Sequence, residues 1–257
     1  MIEPGAGRLI AAEFVGTTIV MLTGPGLLVL ARDDVGRLEL AIGFGLATAI
    51  AIGVIGALAN PMFSLAVWLA RGITGRELLC DWVGQLLGGI FGAALIFGLN
   101  DLDRFTSGTN GWEPGDSVDR GLDLDIHLTG FADVGVVIAA ELLIGVVVVI
   151  VLLSAIREQR SNAATAAFVG AGVTVASLFL FPISGIGINP ARSLGMAIFA
   201  DTDPNALGQV WVFILIPLVA AFAGMLVWLA ISEATIDETV LDDTFVEDIT
   251  DIVTDDD

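Results

Sequence analysis

The stretch Gly185-Ile186-Gly187-Ile188-Asn189-Pro190-Ala191-Arg192-Ser193 decides the fold, because its Asn-Pro pair also occurs earlier, in Gly56-Ala57-Leu58-Ala59-Asn60-Pro61. Asn is a favoured N-cap residue and Pro is preorganised for the first helical turn, so each pair predicts a helix start. The apolar stretches that begin there, residues 60–70 and 189–200, are too short to cross a bilayer. We therefore predict two re-entrant half-helices whose positive N-terminal ends meet in the middle of a membrane.

An internal repeat surrounds the two Asn-Pro pairs. An Ala-Glu pair that ends at Glu13 lies 47 residues before Asn60, and a second one that ends at Glu141 lies 48 residues before Asn189. Each half of this tandem duplication contributes three apolar runs, an odd number, so the halves enter the membrane from opposite sides. The sequence therefore predicts an inverted repeat with a pseudo-two-fold axis in the membrane plane.

Composition assigns the chain to the helical membrane proteins. Of its 257 residues, 56% are hydrophobic and 16% are charged, against about 25% charged in soluble domains, and the mean hydropathy is +0.89. Since a membrane-spanning helix takes about 20 residues, we predict an all-α membrane protein with six transmembrane helices and the two half-helices. The predicted spans are residues 9–31, 38–57, 78–99, 133–155, 163–182 and 209–231.

The charged residues are strongly unbalanced and include no lysine. Thirty Asp and Glu residues stand against ten Arg residues, and 20 of the 30 acids are Asp. This balance argues against nucleic acid as a partner. An Asp-rich surface without Lys stays hydrated and soluble in concentrated salt, where self-repulsion is screened, so we predict a halophile as the source. The alternative is a mesophilic protein with an acidic tail.

The distribution of Arg predicts the orientation in the membrane. The short connections at residues 71–76 and 157–160 carry two Arg residues each, whereas residues 100–133 carry eight acids against two Arg residues. The positive-inside rule then places the short connections and both termini in the cytoplasm. Residues 232–257 carry eleven acids and no base, which predicts a disordered cytoplasmic tail. The N-terminus has no basic n-region and no cleavage site, so the first run is predicted to be a retained span.

Together these motifs resemble the aquaporin and glycerol facilitator family, the major intrinsic proteins, over residues 8–231. Further supporting stretches are Ala12-Glu13-Phe14-Val15-Gly16-Thr17 and Gln85 in a Gly-rich third span. The resemblance implies a homotetramer in the cell membrane with one pore per subunit. It implies passive conduction of water or small neutral solutes such as glycerol, with protons and ions excluded. It also implies a channel domain, residues 1–231, followed by an acidic tail, residues 232–257. Within the channel domain, the two repeats are residues 8–99 and 133–231, and the acidic loop 100–132 links them.

The resemblance also implies which residues form the pore. In the family, the side chains of the two asparagines donate hydrogen bonds to the permeating molecule. The matching motifs here are Asn60, Pro61 and Met62 in the first half and Asn189, Pro190 and Ala191 in the second. An outer selectivity constriction is implied at Phe44, Ser177, Ile186 and Arg192. Because Ser177 is small and Phe44 and Ile186 are apolar, the expected aperture suits glycerol as well as water.

Arg192 falls in the first turn of the second half-helix, so it is expected to project into the outer mouth. An unpaired Arg inside a membrane is costly and therefore functional by default. The alternative is an Arg that snorkels to the outer interface.

Glu13 and Glu141 are the only acids expected to lie well inside the spans. An acid at that depth suggests a proton or cation relay. The resemblance instead implies a structural role, in which each carboxylate accepts hydrogen bonds from backbone N–H groups of the re-entrant loop in its own half.

The first motif departs from the family pattern. Met62 follows the first Asn-Pro where Ala is usual, Ser64 replaces a common Thr, and Leu58 replaces a frequent His. Met is flexible and fills gaps, so we expect changed packing between the half-helices rather than a lost pore.

Other chemistries find little support. The chain has one Cys (Cys80) and one His (His127), which excludes a disulfide and a Cys/His metal cage. The acidic cluster at residues 119–127 lacks the Gly turn and terminal Glu of a calcium loop, and Gly84, Gly88 and Gly92 predict a helix-packing face rather than a cofactor site. We therefore predict no enzyme, metal or cofactor. A coupled secondary transporter and a non-conducting structural membrane protein remain as alternatives.

Overall fold

A computed structural model describes residues 5–31, 35–99, 105–106, 108–112, 134–157, 160–202 and 205–232. Helices of at least six residues make up most of these ranges, and no strand occurs within them. In chain order they are α1 (Ala6–Thr23), α2 (Pro25–Leu30), α3 (Arg37–Ile50), α4 (Pro61–Leu69), α5 (Gly75–Gly98), α6 (Val134–Arg157), α7 (Asn162–Ser184), α8 (Pro190–Phe199) and α9 (Ala206–Ser232).

Six segments of the described chain are long and apolar enough to cross a membrane. They are Ala6–Leu30, Arg37–Ile55, Gly75–Gly98, Val134–Arg157, Asn162–Ser184 and Ala206–Ser232. The predicted all-α architecture with six spans is confirmed. The half-helices are α4 and α8, which begin at the two prolines and differ from the predicted ranges by about one residue at their ends.

Glycines end the helix that precedes each half-helix. Gly56, with φ +76°, closes a π-helical turn at Ala51–Ile55 that extends α3, and Gly185, with φ +77°, closes α7. Left-handed backbone costs a Gly little, which is why helices so often end on one. Both caps lie four residues before an Asn-Pro pair, so the two halves of the repeat leave their long helices in the same way.

One feature of the first span was not predicted. The span is divided at Gly24 and Pro25, where α1 ends and α2 begins with Pro in its first turn. A Cβ atom at Gly24 would lie 2.7 Å from Cζ of Phe44, so the absence of a side chain makes room for that ring.

Glycines bring the spans into close contact. The predicted packing face of α5 is confirmed, because Cβ atoms on Gly84, Gly88 and Gly92 would run into residues of α1. The two halves meet where α3 crosses α7. There, a Cβ on Gly45 would lie 2.5 Å from the carbonyl oxygen of Gly170, and a Cβ on Gly170 would lie 2.7 Å from that of Gly45. Such a reciprocal contact is expected between residues that the predicted pseudo-two-fold axis relates.

Two predicted features fall outside the described residues. Most of the acidic loop, including the cluster at residues 119–127, lies in the interval 113–133, and the predicted disordered tail lies in residues 233–257.

Candidate functional site

The two half-helices begin side by side, each capped by its own asparagine. Oδ1 of Asn60 accepts a hydrogen bond from the backbone N–H of Met62 at 3.0 Å. Oδ1 of Asn189 accepts from the N–H groups of Ala191 at 3.1 Å and Arg192 at 3.2 Å. The expected N-caps are therefore present in both halves, with one free helix N–H satisfied in the first and two in the second.

The same asparagines also connect the two halves. Nδ2 of Asn60 donates to the carbonyl of Ile188 at 3.1 Å, and Nδ2 of Asn189 donates to the carbonyl of Ala59 at 2.9 Å. Each acceptor is the residue just before the opposite asparagine. Because an amide NH₂ carries two hydrogens, each asparagine keeps a second one for a molecule beside it.

Both asparagines line a cavity between the half-helices. The space open to the centre of a water molecule in it is about 20 Å³, enough to hold water. One part of the wall is polar, with the two asparagine amides and the Arg192 side chain, and the rest is largely apolar. The lining consists of Val20, Phe44, Thr48, Leu58, Ala59, Asn60, Phe63, Val173, Ile186, Ile188, Asn189 and Arg192.

Three of the four residues assigned to the constriction come together at this cavity. Phe44, Ile186 and Arg192 all line it, and the Arg192 guanidinium carbon lies 5.9 Å from the centre of the Phe44 ring. Ser177 does not line it. That side chain is fully buried, and its hydroxyl has no hydrogen-bond partner in the part of the chain that the structure describes. Val173, one turn earlier on α7, occupies the lining instead.

Arg192 is held firmly by a loop that the sequence did not single out. One guanidinium nitrogen donates to Oδ1 of Asn110, and the other donates to the carbonyl of Gly108 at 2.8 Å. Nδ2 of Asn110 in turn donates to the carbonyls of Ser184 at 3.2 Å and Gly185 at 2.7 Å. Arg192 is 1% exposed and donates to both Asn110 and Gly108, so it is not the unpaired Arg that the sequence suggested. No motif marks Asn110, since its partners are distant in sequence.

Each buried glutamate contacts the re-entrant loop of its own half. Glu13 accepts from the N–H groups of Leu58 at 2.7 Å and Ala59 at 2.8 Å. Glu141 accepts from the N–H of Gly187 at 2.7 Å and from the Ser184 hydroxyl. These are contacts of the kind that the family resemblance implies. Oε2 of Glu141 is buried without a hydrogen-bond partner among the described residues.

A third buried acid, Asp81, extends the polar contacts of the first half. It lies within the span Gly75–Gly98 and is 6% exposed, so the expectation that Glu13 and Glu141 alone lie well inside the spans is wrong. Asp81 accepts from the Ser64 hydroxyl at 3.0 Å. Gln85 donates both to Ser64 Oγ and to Glu13 Oε2, at 2.8 Å each. Asp81 and Gln85 are four residues apart and so share a face of α5. Their partners lie on other helices, so the sequence around them shows no pattern that predicts these contacts.

The cavity is suited to binding a molecule rather than to catalysing a reaction. Its polar groups are fixed hydrogen-bond donors, and the positive ends of two helices add to the charge of Arg192. Across the described ranges, no group of three His, Cys, Asp or Glu residues is placed to hold a metal ion. An uncharged molecule with oxygen acceptors and an apolar side matches this wall.

Comparison with known proteins shows similarity over nearly the whole chain. The family model described as major intrinsic protein matches residues 3–228. The chain is 33% identical over 231 residues to Aquaporin Z of Brucella melitensis biotype 1, covering 85% of this chain and 95% of that protein. It is 31% identical over 221 residues to glycerol uptake facilitator protein-like 6 of Lactiplantibacillus plantarum, covering 83% and 93%.

A solved structure shares the fold. The aquaglyceroporin from Plasmodium falciparum superimposes with a TM-score of 0.70 over 92% of this chain and 99% of that one, at 19% sequence identity.

Proposed function

The chain belongs to the major intrinsic protein family, and from that premise we propose that it is a passive membrane channel for water and small neutral solutes such as glycerol. It is a multi-pass membrane protein and not an enzyme. Relatives named Aquaporin Z and glycerol uptake facilitator protein-like 6 match it at similar identity, which supports a pore that passes both water and glycerol.

The observation that carries the proposal is the cavity between the two half-helices. Two asparagine amides face it with one hydrogen each to spare, opposite a largely apolar wall. A chain of hydroxyls on a carbon backbone can bond to the donors while its carbons contact the wall, and a water molecule can use the donors alone.

We propose that the same geometry excludes protons and cations. A water molecule that accepts hydrogen bonds from both asparagines turns its own hydrogens towards the two mouths, which interrupts a proton-conducting chain. The helix ends and Arg192 add a positive field that repels hydronium and metal cations. Asn60, Pro61 and Met62 of the first motif and Asn189, Pro190 and Ala191 of the second form the pore centre in this proposal, with Glu13 and Glu141 as structural acids.

The remaining features of the proposal follow from sequence and family. The protein forms a homotetramer in the cell membrane of a halophilic archaeon, with both termini in the cytoplasm. The channel domain comprises residues 1–231, and the acidic segment 232–257 follows as a disordered tail.

Stopped-flow light scattering on proteoliposomes tests the proposal. We expect vesicles with the protein to shrink faster than protein-free vesicles under an impermeant osmolyte, and to re-swell faster in glycerol. A pH-sensitive dye inside the vesicles should show no added proton leak. Uptake that depends on an ion gradient would indicate a coupled transporter, and no permeability above the protein-free control would indicate a structural protein.

Selectivity provides a sharper test of the constriction. The family resemblance assigns Ser177 to the constriction, although the side chain does not line this cavity. If Ser177 borders the pore, Ser177→His should lower glycerol flux more than water flux, because a bulky polar ring narrows the aperture. Val173→His is the matched comparison, since Val173 lines the cavity, whereas Ser177 is buried and does not line it. Equal losses of both fluxes in Ser177→His, with selective loss in Val173→His, would assign the constriction to Val173.

A further inference from the structure

We propose that Asp81 is a positioning residue for the pore: acting through Ser64 and Gln85, it holds the first half-helix in the place where Asn60 can serve the permeating molecule. This inference rests on the proposed channel function. Asp81 does not contact the cavity; its effect passes through hydrogen bonds that can be followed atom by atom.

The direction of each hydrogen bond in this set follows from counting hydrogens. The amide of Gln85 has two, and it donates one to Glu13 Oε2 and one to Ser64 Oγ, at 2.8 Å each. Ser64 therefore accepts from Gln85, and its own single hydrogen is donated to Oδ2 of Asp81 at 3.0 Å. Asp81 must act as an acceptor, because no other arrangement uses all three donor hydrogens in these contacts.

The other end of the set reaches the cavity. Glu13 accepts from the N–H groups of Leu58 and Ala59, and both residues line the cavity together with Asn60. Ala59 has φ +53°, a left-handed conformation that costs a residue with a Cβ about 1 kcal/mol. The carbonyl of Ala59 also receives the hydrogen bond from Asn189. A strained residue at the pore centre is thus held in place by the Glu13 carboxylate.

Asp81 fastens the half-helix itself. Ser64 lies on α4, one turn beyond its Asn60 cap, while Asp81 and Gln85 lie one turn apart on α5. All three side chains are 6% exposed or less. Without the carboxylate, the Ser64 hydroxyl would turn to a carbonyl of its own helix, as Ser does in helix interiors, and one of the hydrogen bonds between α4 and α5 would be lost. The bonds from Gln85 to Ser64 and from Trp82 to the carbonyl of Pro61 would remain. The Asn60 amide would then be less well placed for its donor role.

The second half of the chain supplies a matched control. Ser193 follows Asn189 by four residues, as Ser64 follows Asn60, and it is equally buried. Its hydroxyl has no hydrogen-bond partner among the residues that the structure describes. Removing that hydroxyl therefore deletes the same atom at the equivalent place without breaking a link between helices.

Five variants in proteoliposomes test the inference, with water and glycerol permeability expressed per folded, reconstituted molecule. We expect Ser64→Ala and Asp81→Leu each to lower permeability by about threefold. The double variant should lose no more than Ser64→Ala alone, because removing the Ser64 hydroxyl already removes its hydrogen bond to Asp81. Asp81→Asn keeps an acceptor oxygen and should stay close to wild type. Ser193→Ala should equal wild type.

The outcomes separate a positioning role from a purely structural one. A structural role would reduce the amount of folded protein and leave permeability per molecule unchanged in every variant, which would overturn the inference. Equal effects of Ser64→Ala and Ser193→Ala on permeability would also overturn the inference. This pair tests the positioning role even if Asp81→Leu does not fold. A wild-type protein that conducts neither water nor glycerol would instead overturn the proposed function.

Discussion

The two half-helices begin alike but are held in different ways. Each starts at an Asn-Pro pair, follows a left-handed glycine by four residues, and donates an amide hydrogen to the opposite loop. In the first half, however, side chains of three helices join in one hydrogen-bonded set around Gln85. Both halves of the repeat therefore build the pore centre in the same way, but the side-chain contacts that hold the two half-helices differ.

The cause of the difference is visible in the helix register. Gly92 of α5 packs on Met21, eight residues after Glu13, and Gly224 of α9 packs on Val149, eight residues after Glu141. The two glycines are therefore equivalent. Seven residues before them stand Gln85 in the first half and Pro217 in the second.

A proline has no side-chain donor, so the second half lacks the central amide. Two buried atoms of the second half, Oε2 of Glu141 and Oγ of Ser193, have no hydrogen-bond partner within the described ranges, as expected where the central amide is missing.

Close backbone contact supports the second half instead. A Cβ on Gly89 of α5 would lie 2.9 Å from the carbonyl carbon of Ala191, and one on Gly195 of α8 would lie 2.7 Å from the carbonyl carbon of Gly89. In the first half, the residue that corresponds to Ala191 is Met62, which is buried in the main apolar core. A larger side chain at that place keeps its half-helix from such close contact.

The largest effect is expected where the two halves are most alike. Asn189→Leu removes the cap of two N–H groups and the amide that faces the cavity, so we predict loss of water and glycerol conduction. The cap alone costs about 1 kcal/mol of stability. Asn189→Asp keeps the capping oxygen and removes the amide donor. Comparing the stopped-flow permeabilities of the two variants therefore separates the effect of losing the helix cap from the effect of losing the pore donor. Normal conduction in a folded Leu variant would contradict the pore assignment.

A substitution at the close helix contact should affect the second half-helix only. Gly89→Ala places a methyl group against the backbone of Ala191, which cannot move aside, and we predict a loss of about 2 kcal/mol in stability. The equivalent residue of α9 is Ala221, where a methyl group is already accommodated. Ala221→Gly should cost about 1 kcal/mol or less, from helix propensity. Thermal unfolding in detergent compares the two, and equal losses would contradict the difference in support.

Local rules explain the parts of this structure that the sequence predicts well. A cap such as Asn60 or Asn189 acts within three residues, so the half-helix starts follow from the Asn-Pro pairs alone. The glycine face of α5 follows from helix periodicity. Asn110 and Asp81 escaped prediction because their partners lie far away in sequence, and which polar groups meet depends on how the helices pack. Which residue of α7 lines the cavity, Val173 rather than Ser177, depends on the rotation of that helix for the same reason.

A smaller effect on conduction is expected from substituting Arg192. The equivalent residue in the first half is a Phe. Both Arg192 and Phe63 follow their asparagine by three residues and line the cavity. Arg192→Val leaves Asn110 and Gly108 without a donor they now have, at a cost of about 1–3 kcal/mol, and removes a positive charge from the cavity. We predict a raised proton and cation leak, measured with a pH-sensitive dye and ion-flux assays.

Phe63→Leu is the control, since it changes the cavity wall without changing charge. A leak in both variants would assign the barrier to cavity size, and an unchanged selectivity in Arg192→Val would remove Arg192 from the constriction.

The smallest expected effect comes from giving the second half the amide that it lacks. Pro217→Gln places a side-chain NH₂ at the position of Gln85, where it can donate to Oε2 of Glu141 and to the Ser193 hydroxyl. Pro217→Ala is the necessary reference, because either substitution also restores a backbone N–H within α9. Relative to Ala, we predict that Gln stabilises the fold by about 1 kcal/mol, and that Ser193→Ala reduces this difference. Equal melting temperatures for the Gln and Ala variants would mean that the two buried atoms are already satisfied by another route, and the divergence between the halves would then lie in backbone contact alone.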